Sequence, residues 1–421
     1  MGVTLLKKLP LPIRKYLRMF SSLAESLNYK IFLVGGIVRD LLLGEENLDL
    51  DIVVEGDAIE FVKVFSKKLK AEFIKHHSFG TATLYLNNNL KVDFATARKE
   101  FYPYWGALPK VVASTIREDL FRRDFTINAM AMSLNRESWG NILDFYGGIN
   151  DLNRGLIRVL HPKSFLEDPT RIFRAIRFEQ RFSFRIEPHT LSLLKEAIRL
   201  GAIKWIDEHR IRDELILILK EPAPYRYIRR INQLIGFSFI NEKLILKKSD
   251  FLLLMRIQRA LHIYKKKFKK CRELQGWIIY LAGIVYKLTE NALFQFFSQF
   301  GLRKGERKII LSIKESFSKV RRLKRVKPKV GIFEILKPLS FEAVVFFYAY
   351  FKDKTIRKKI CVFLEKLAHI RLKLRGEDLK RVGYKDKTNY TKIFKRLLHK
   401  KIEKNISTKS QELKELKRLL T

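Results

Sequence analysis

Asp49 and Asp51 stand in Asp49-Leu50-Asp51-Ile52-Val53-Val54, a run whose alternation reads as a strand. Positions i and i+2 of a strand share a face, so both carboxylates point one way while Leu50 and Ile52 turn to the core. Two like charges side by side are costly unless a cation lies between them. Mg2+ suits that arrangement, because one or two carboxylates hold it and substrate phosphates complete its shell. Asp93, in the alternating strand Leu90 to Ala95, is a third acid that either joins the metal cage or is a surface residue at a strand end. A second constellation is Glu167-Asp168-Pro169-Thr170-Arg171, where an acid and a base three residues apart at the start of an apolar-periodic run land on one helical face. The Asp168 carboxylate only accepts hydrogen bonds and so fits the exocyclic amine of cytosine or adenine, while the Arg171 fork donates to their ring acceptors. Uracil and guanine would place a carbonyl against the carboxylate. Read without that chemistry, the same pair is a helix-start acid with a surface ion pair.

Groups that could hold a phosphorylated ligand lie on either side. The apolar strand Ile31 to Val34 runs into Gly35 and Gly36 and then into a helix carrying Arg39 and Asp40. Glycines let backbone approach a phosphate, the helix start offers unpaired N–H groups, and Arg39 would act as a charged clamp. The pattern matches neither the Walker loop nor the dinucleotide fingerprint. Arg122, Arg123, Asp124 and Asn128 stand at the entrance of the next helix and suit a triphosphate and a ribose hydroxyl.

Strands are expected near 31–34, 49–54, 72–76, 81–87 and 90–95, and helices at 36–43, 57–70 and 115–133. From about residue 155 the periodicity is helical almost throughout, as in 168–182, 188–199 and 208–219. The fold class is therefore α+β, a small mixed-sheet head followed by an elongated all-α arm. The 421 residues carry 85 Lys and Arg against 44 Asp and Glu, a formal charge of +41 that marks a polyanion binder. The surplus is uneven: residues 1–150 hold 20 basic and 17 acidic side chains, residues 301–421 hold 36 and 12. Arg321, Arg322, Lys324, Arg325, Lys327 and Lys329 interleave with Leu, Val and Pro as a candidate RNA-binding stretch, and Lys352 to Lys359 form a second basic cluster. No stretch reads as a membrane span; Gly276 to Tyr286 is too short and reads as a buried helix. The start lacks a signal-peptide pattern. Cys271 and Cys361 are expected to be reduced core residues of a cytoplasmic protein, and the His76-His77 doublet an ordinary surface feature.

The ordered motifs resemble those of class II tRNA nucleotidyltransferases, the CCA-adding enzymes of the DNA polymerase β-like superfamily. They are the Gly35-Gly36 turn with Arg39-Asp40 and the Asp49/Asp51 pair, the Arg122 to Ala129 block, Asp144 with Gly147-Gly148 and Asp151-Leu152, Glu167 to Arg171 continuing through Arg174 and Arg177, and Arg210 with Glu214. They cover about the first 220 residues. The resemblance implies that Asp49 and Asp51 bind magnesium; Asp93 is counted with them as catalytic on the strand reading alone. It implies that Arg123 and Asp124 contact the ribose, that Asp168 and Arg171 pair with the incoming base of ATP or CTP, and that Arg174 and the Arg122 to Asn128 block hold the triphosphate. It also divides the chain into a catalytic head at 1–154, a base-recognising neck at 155–222, a helical body at 223–330 and a basic tRNA-binding tail at 331–421. Two places depart from or refine the pattern. Lys385 to Thr388 replaces the Pro/Gly-rich turn usual in the tail. Arg98 to Ser114, with Tyr102-Pro103-Tyr104-Trp105-Gly106-Ala107-Leu108-Pro109, falls where relatives that add the terminal A keep a flexible loop, and its wording looks closer to relatives that add A alone. A structured Pro/Gly surface loop is the other reading. Three functions fit: addition of CCA or of A alone to the tRNA 3′ end, polyadenylation, and RNA binding without catalysis. The sequence leaves the oligomeric state open.

Overall fold

The structure, a computed structural model, describes residues 2–46, 48–87, 90–384 and 386–420, so Lys385 of the Lys385–Thr388 stretch lies outside the described residues. It forms two compact units, Met1–Glu214 and Leu215–Thr421.

In the first unit β1 (Lys30–Val34), β2 (Leu50–Glu55), β3 (Glu72–His76), β4 (Thr81–Leu86) and β5 (Leu90–Thr96) follow the apolar runs closely. They are joined by a hairpin of β6 (Arg98–Phe101) and β7 (Lys110–Ala113) and by β8 (Ala131–Ser133) and β9 (Ile142–Leu143). Among the described residues seven strands make one mixed sheet in the order β3-β4-β5-β2-β1-β8-β9; β2 and β5 run parallel and the other neighbouring strands antiparallel. β1 lies between β2 and β8, and Ile31 through Val34 are buried on both faces, which is why the segment reads as a continuous apolar run. The Leu11–Ser26 and Ala58–Leu69 helices cover the sheet through Phe20, whose ring packs 4.6 Å from Phe65 and 5.1 Å from Phe94. Asp57 starts the second of these helices by accepting from Ile59 N and Glu60 N.

Two expectations about local structure are corrected. The helix expected over 115–133 ends at Phe121, and Ala131–Ser133 become a strand. The far edge of β1 needs backbone partners, and Val34↔Ala131, Leu33↔Met132 and Phe32↔Ser133 supply them, so tertiary pairing overrides a helical pattern. The 98–114 segment is a paired hairpin with Arg98↔Ala113 and Phe101↔Lys110 rather than a simple loop. Beyond 155 the helical expectation holds, apart from Leu156–Ile157 pairing in parallel with Arg185–Ile186.

The second unit is helical. Its Gly276–Val285 helix buries every residue from Trp277 to Val285, as its uniform apolarity requires. Phe341–Tyr350 is a similar helix, carrying an aromatic cluster in which Phe317 lies 4.8 Å from Tyr350 and 5.2 Å from Phe347. Arg272 grips the buried Glu342 with two bonds of 2.7 and 2.6 Å. Leu374, Leu379, Leu397 and Leu416 form a smaller core near the C-terminus. Cys271 and Cys361 are free but only half-buried, so they are not core residues as expected. No helix among the described residues is long and apolar enough to cross a membrane.

Candidate active site

One cavity of about 940 Å³ in the first unit gathers residues from six separate chain segments. Gly35, Gly36, Arg39, Asp49, Asp51, Arg122, Arg123, Asp124, Asn128, Asp168, Arg171, Arg174 and Arg177 all line it. Asp93 lies instead on a smaller adjoining cavity of about 290 Å³, which shares Asp51, Arg122 and Arg123 with the first.

Asp51 and Asp93 come from the parallel pair β2 and β5. Asp51 and Asp93 are register partners across β2 and β5, so their side chains leave the same face. Asp49 precedes the first residue of β2 rather than lying on the strand, yet its charge still reaches Asp51. Burial pushes the Asp51 carboxyl up, Arg123 pulls it down, and Asp93 and Asp49 push it up again; it ends above the usual carboxylate range. Lys91 and Thr83 bond Asp93 at 2.6 and 2.5 Å. Among the described residues no three His, Cys, Asp or Glu side chains form a ready-made metal cluster. The donor set is two carboxylates beside a space able to take a phosphorylated ligand. That set fits Mg2+, which takes its remaining ligands from phosphate and water, better than an ion needing an all-protein cage.

The glycine turn packs against an arginine. Gly35 sits at φ +70°, and a Cβ there would stand 2.6 Å from Arg123 Nη1, so the missing side chain is what admits the guanidinium. Asp119, fully buried, accepts from Arg122 at 2.8 and 3.0 Å and from Arg123 at 3.0 Å, and Glu100 accepts from Arg122 at 2.9 Å. Burial would raise the Asp119 carboxyl, but Arg123 and Arg122 hold it below the usual range. Asp124 is likewise buried: its Oδ1 accepts from Phe125 N and Asn128, and its Oδ2 from Arg174 at 2.8 and 2.7 Å. Burial pushes this carboxyl up, yet Arg174 and Asn128 bring it down to about 2.

Arg39, expected as a charged clamp, lines the cavity and is also tied into the fold. Its guanidinium is buried, bonded to Asp40 and Asn128 and packed over the rings of Phe178 and Phe182 at 5.3 and 4.7 Å. It ties the glycine-turn helix to Asn128 and, through those rings, to the Thr170–Phe182 helix.

Asp168 and Arg171 both face the cavity, but not from one helical face. A short helix ends at Glu167, Asp168 occupies the turn, and the next helix begins at Thr170, because Pro169 cannot continue the first. Asp168 Oδ1 accepts from Thr170 N, from Thr170 Oγ1 and from Arg210 at 2.8 Å. Arg171 donates to Ser164 Oγ and to the Arg122 carbonyl, both at 2.6 Å, which links the Asp168 turn to the arginine block. Arg177 reaches Glu214 at 3.7 Å, and Arg174 reaches the same carboxylate at 3.4 Å. The buried Nε of Arg123 and Nη1 of Arg210 have no hydrogen-bond partner among the described residues; both belong to arginines lining the cavity, and a bound anion would satisfy such donors.

Sequence reasoning did not place Glu100, Tyr102 and Asp119 in the site, and named Arg210 and Glu214 as a motif without a role. Asp119 had a signal, since it lies three and four residues before Arg122 and Arg123, the spacing of helical ion pairs. Glu100 and Tyr102 had none, because only the hairpin brings them to the cavity. Elsewhere, Arg321, Arg322, Lys324, Arg325, Lys327 and Lys329 are all exposed, in the second unit, around the end of the Lys304–Arg321 helix and the start of the Lys329–Leu336 helix. His76 and His77 are exposed at the end of β3, as expected of a surface doublet.

The fold and cavity thus define a protein that sets paired carboxylates, a glycine turn and an arginine cluster around space for a charged, phosphorylated ligand. The poly A polymerase head domain family matches residues 31–158. The A-adding tRNA nucleotidyltransferase of Geobacter sulfurreducens is 32% identical over 415 residues, covering 97% of this chain and 47% of that protein. The enzyme of the same description from Aquifex aeolicus is 37% identical over 367 residues, covering 85% and 43%. The chain spans about half the length of these curated relatives. Among solved structures, a CCA-adding enzyme in its apo form II superposes with a TM-score of 0.81 at 34% identity, covering 99% of this chain and 98% of that one. The Thermotoga maritima CCA-adding enzyme complexed with tRNA gives 0.78 at 34% identity, covering 100% and 98%. The chain belongs to the tRNA nucleotidyltransferase family of A-adding and CCA-adding enzymes.

Proposed function

We propose that this chain is a template-independent tRNA nucleotidyltransferase that adds CCA, or the terminal A alone, to the tRNA 3′ end from CTP and ATP, releasing pyrophosphate. The observation that carries the reading is the single cavity joining Asp49 and Asp51 to Asp168 and Arg171. Relatives matched over most of the chain are described as A-adding, which favours addition of A alone. Asp49 and Asp51 would hold Mg2+, with Asp93 beside them, and the ion when bound supplies charge neutralisation at the phosphates and a lowered pKa for the attacking hydroxyl.

The protein's own groups do the rest. Arg122, Arg123, Arg174 and Arg177 hold the triphosphate, and Arg123 with Asp124 orients the ribose. All three bonds to Asp168 fall on Oδ1, so Oδ2 is the acceptor left for the exocyclic amine of C or A. Arg171 uses two of its five N–H donors inside the protein and keeps others for the ring acceptors. The 3′ hydroxyl then attacks the α-phosphate in line and pyrophosphate leaves, with no covalent enzyme intermediate. The six cations between Arg321 and Lys329 contribute phosphate contacts to RNA. The division into head, neck, body and tail at 154, 222 and 330, and a cytoplasmic location, belong to the same reading.

Incubating the protein with tRNA lacking CCA, CA or A, with each triphosphate, tests this. Extension that stops after the terminal A supports the proposal, and extension of the CC-ending substrate alone marks an A-adding enzyme. A long homopolymer would favour polyadenylation, a reading that the head-domain match keeps in view. No incorporation on any substrate would refute both.

A further inference from the structure

The tip of the β6–β7 hairpin carries an aromatic surface that none of the roles above uses. Tyr104 is 72% exposed, Leu108 65%, Trp105 43% and the nearby Trp205 38%, an unusual concentration of apolar side chains in contact with water. This tip is pinned. Gly106 sits at φ +76° and donates its N–H to Leu166 O at 3.1 Å; a Cβ there would stand 2.8 Å from the Trp205 carbonyl oxygen. Ala107 N closes a turn onto Tyr104 O, so the backbone between the aromatic residues is fixed at both ends. The residues that flank the tip in sequence, Tyr102 and Pro109, line the same cavity as Asp51 and Asp168. The aromatic surface therefore lies at the rim of the candidate active site. Lys110 and Lys204, each next in sequence to this region, are exposed and give it a positive border.

We infer that Tyr104 and Trp105 form a stacking platform for the single-stranded 3′ end of the RNA acceptor. Exposed aromatic faces bordered by cations are the combination that binds unpaired nucleotides: every base has a face to stack, and the cations meet the phosphates. The positive border complements a phosphate backbone, and because Tyr102 and Pro109 beside the tip line the cavity that also holds Asp49 and Asp51, a strand stacked here would end at the carboxylates' cavity. The inference rests on the proposed function and adds to it the element that holds the acceptor strand while the cavity holds the nucleotide.

The test compares Tyr104→Ala, Trp105→Ala, the double variant and Trp105→Phe. Two labelled RNA minihelices serve as probes, identical except that one carries a two-nucleotide CC 3′ overhang and the other is blunt. Binding is measured without metal or triphosphate, and KM for the overhang RNA and for ATP is measured separately. The alanine variants are expected to lose about 5- to 100-fold in affinity for the overhang RNA, the span that loss of stacking on one base produces. Binding of the blunt RNA and KM for ATP should stay within about 2-fold, and Trp105→Phe should keep most of the overhang preference. Equal binding of overhang RNA by wild type and the double variant would overturn the inference. So would an equal loss on both RNAs, or loss of self-association in the double variant with overhang binding intact, which would make the tip a scaffold or a protein contact. If wild type transfers no nucleotide but its overhang preference vanishes with the aromatic rings, the functional reading fails and the platform stands.

Discussion

Asp124 offers the sharpest link between geometry and a measurable quantity. Its buried carboxylate is held by both prongs of Arg174, by Asn128 and by the Phe125 backbone, and its pKa is lowered from 3.8 to about 2. A group whose folded pKa is depressed contributes stability that is present above its unfolded pKa and lost as pH falls through the folded one. A shift of nearly two units corresponds to about 2 kcal/mol, at 1.36 kcal/mol per unit. Asp124→Asn keeps the shape and removes the titration. The urea unfolding free energies of wild type and variant should therefore differ by a constant amount from pH 7 to about 5, and that difference should shrink by about 2 kcal/mol between pH 5 and 2. Other acids titrate in both proteins and cancel in the comparison. A difference that stays flat across the whole range would refute the claim that the Arg174 contact holds Asp124 ionised in the fold.

Asp51→Ala should abolish nucleotide incorporation while RNA affinity stays within a few-fold, because the cations of the second unit still meet phosphates; near-normal turnover would remove Asp51 from the metal site. Gly35→Ala forces a side chain into a left-handed backbone position against Arg123, and about 1–3 kcal/mol of stability should be lost together with most of the activity. Thermal melts and single-turnover assays indistinguishable from wild type would contradict this. Replacing Arg321, Arg322, Lys324, Arg325 and Lys327 by Gln should weaken RNA binding and flatten its dependence on salt, by about 0.7 to 0.9 in log–log slope for each phosphate contact removed; an unchanged slope would place the RNA elsewhere. Asp168→Asn should admit U or G, since an amide can donate to their carbonyls, and the C/A preference should fall by roughly one to two orders of magnitude, the equivalent of about 1–3 kcal/mol. Strict selectivity in that variant, measured with each of the four triphosphates, would reduce the residue to a cap of its turn.

What could be read from the residues alone was whatever local periodicity and side-chain chemistry encode. The alternation in Leu50 to Val54 and the apolar run at Ile31 to Val34 specify strands, because burial of one or both faces repeats every two residues. The glycine turn, the carboxylate pair and the arginine blocks were legible as groups suited to phosphate and base. The charge surplus toward the C-terminus was legible as affinity for a polyanion. Which groups face one another was decided in three dimensions. Ala131–Ser133 became a strand because the edge of β1 needed a partner, a demand that no helical pattern within the segment could reveal. The contacts that bury Arg39 were not legible, since its neighbours Asn128 and Phe178 lie some 90 and 140 residues away in sequence. Asp93 meets Asp51 only through the parallel register of β2 and β5, and Glu100 reaches Arg122 only because a hairpin folds back over the cavity. Sequence spacing fixes directions within one element, whereas an active site is assembled between elements, by sheet pairing and by the burial of charges that must find partners far along the chain.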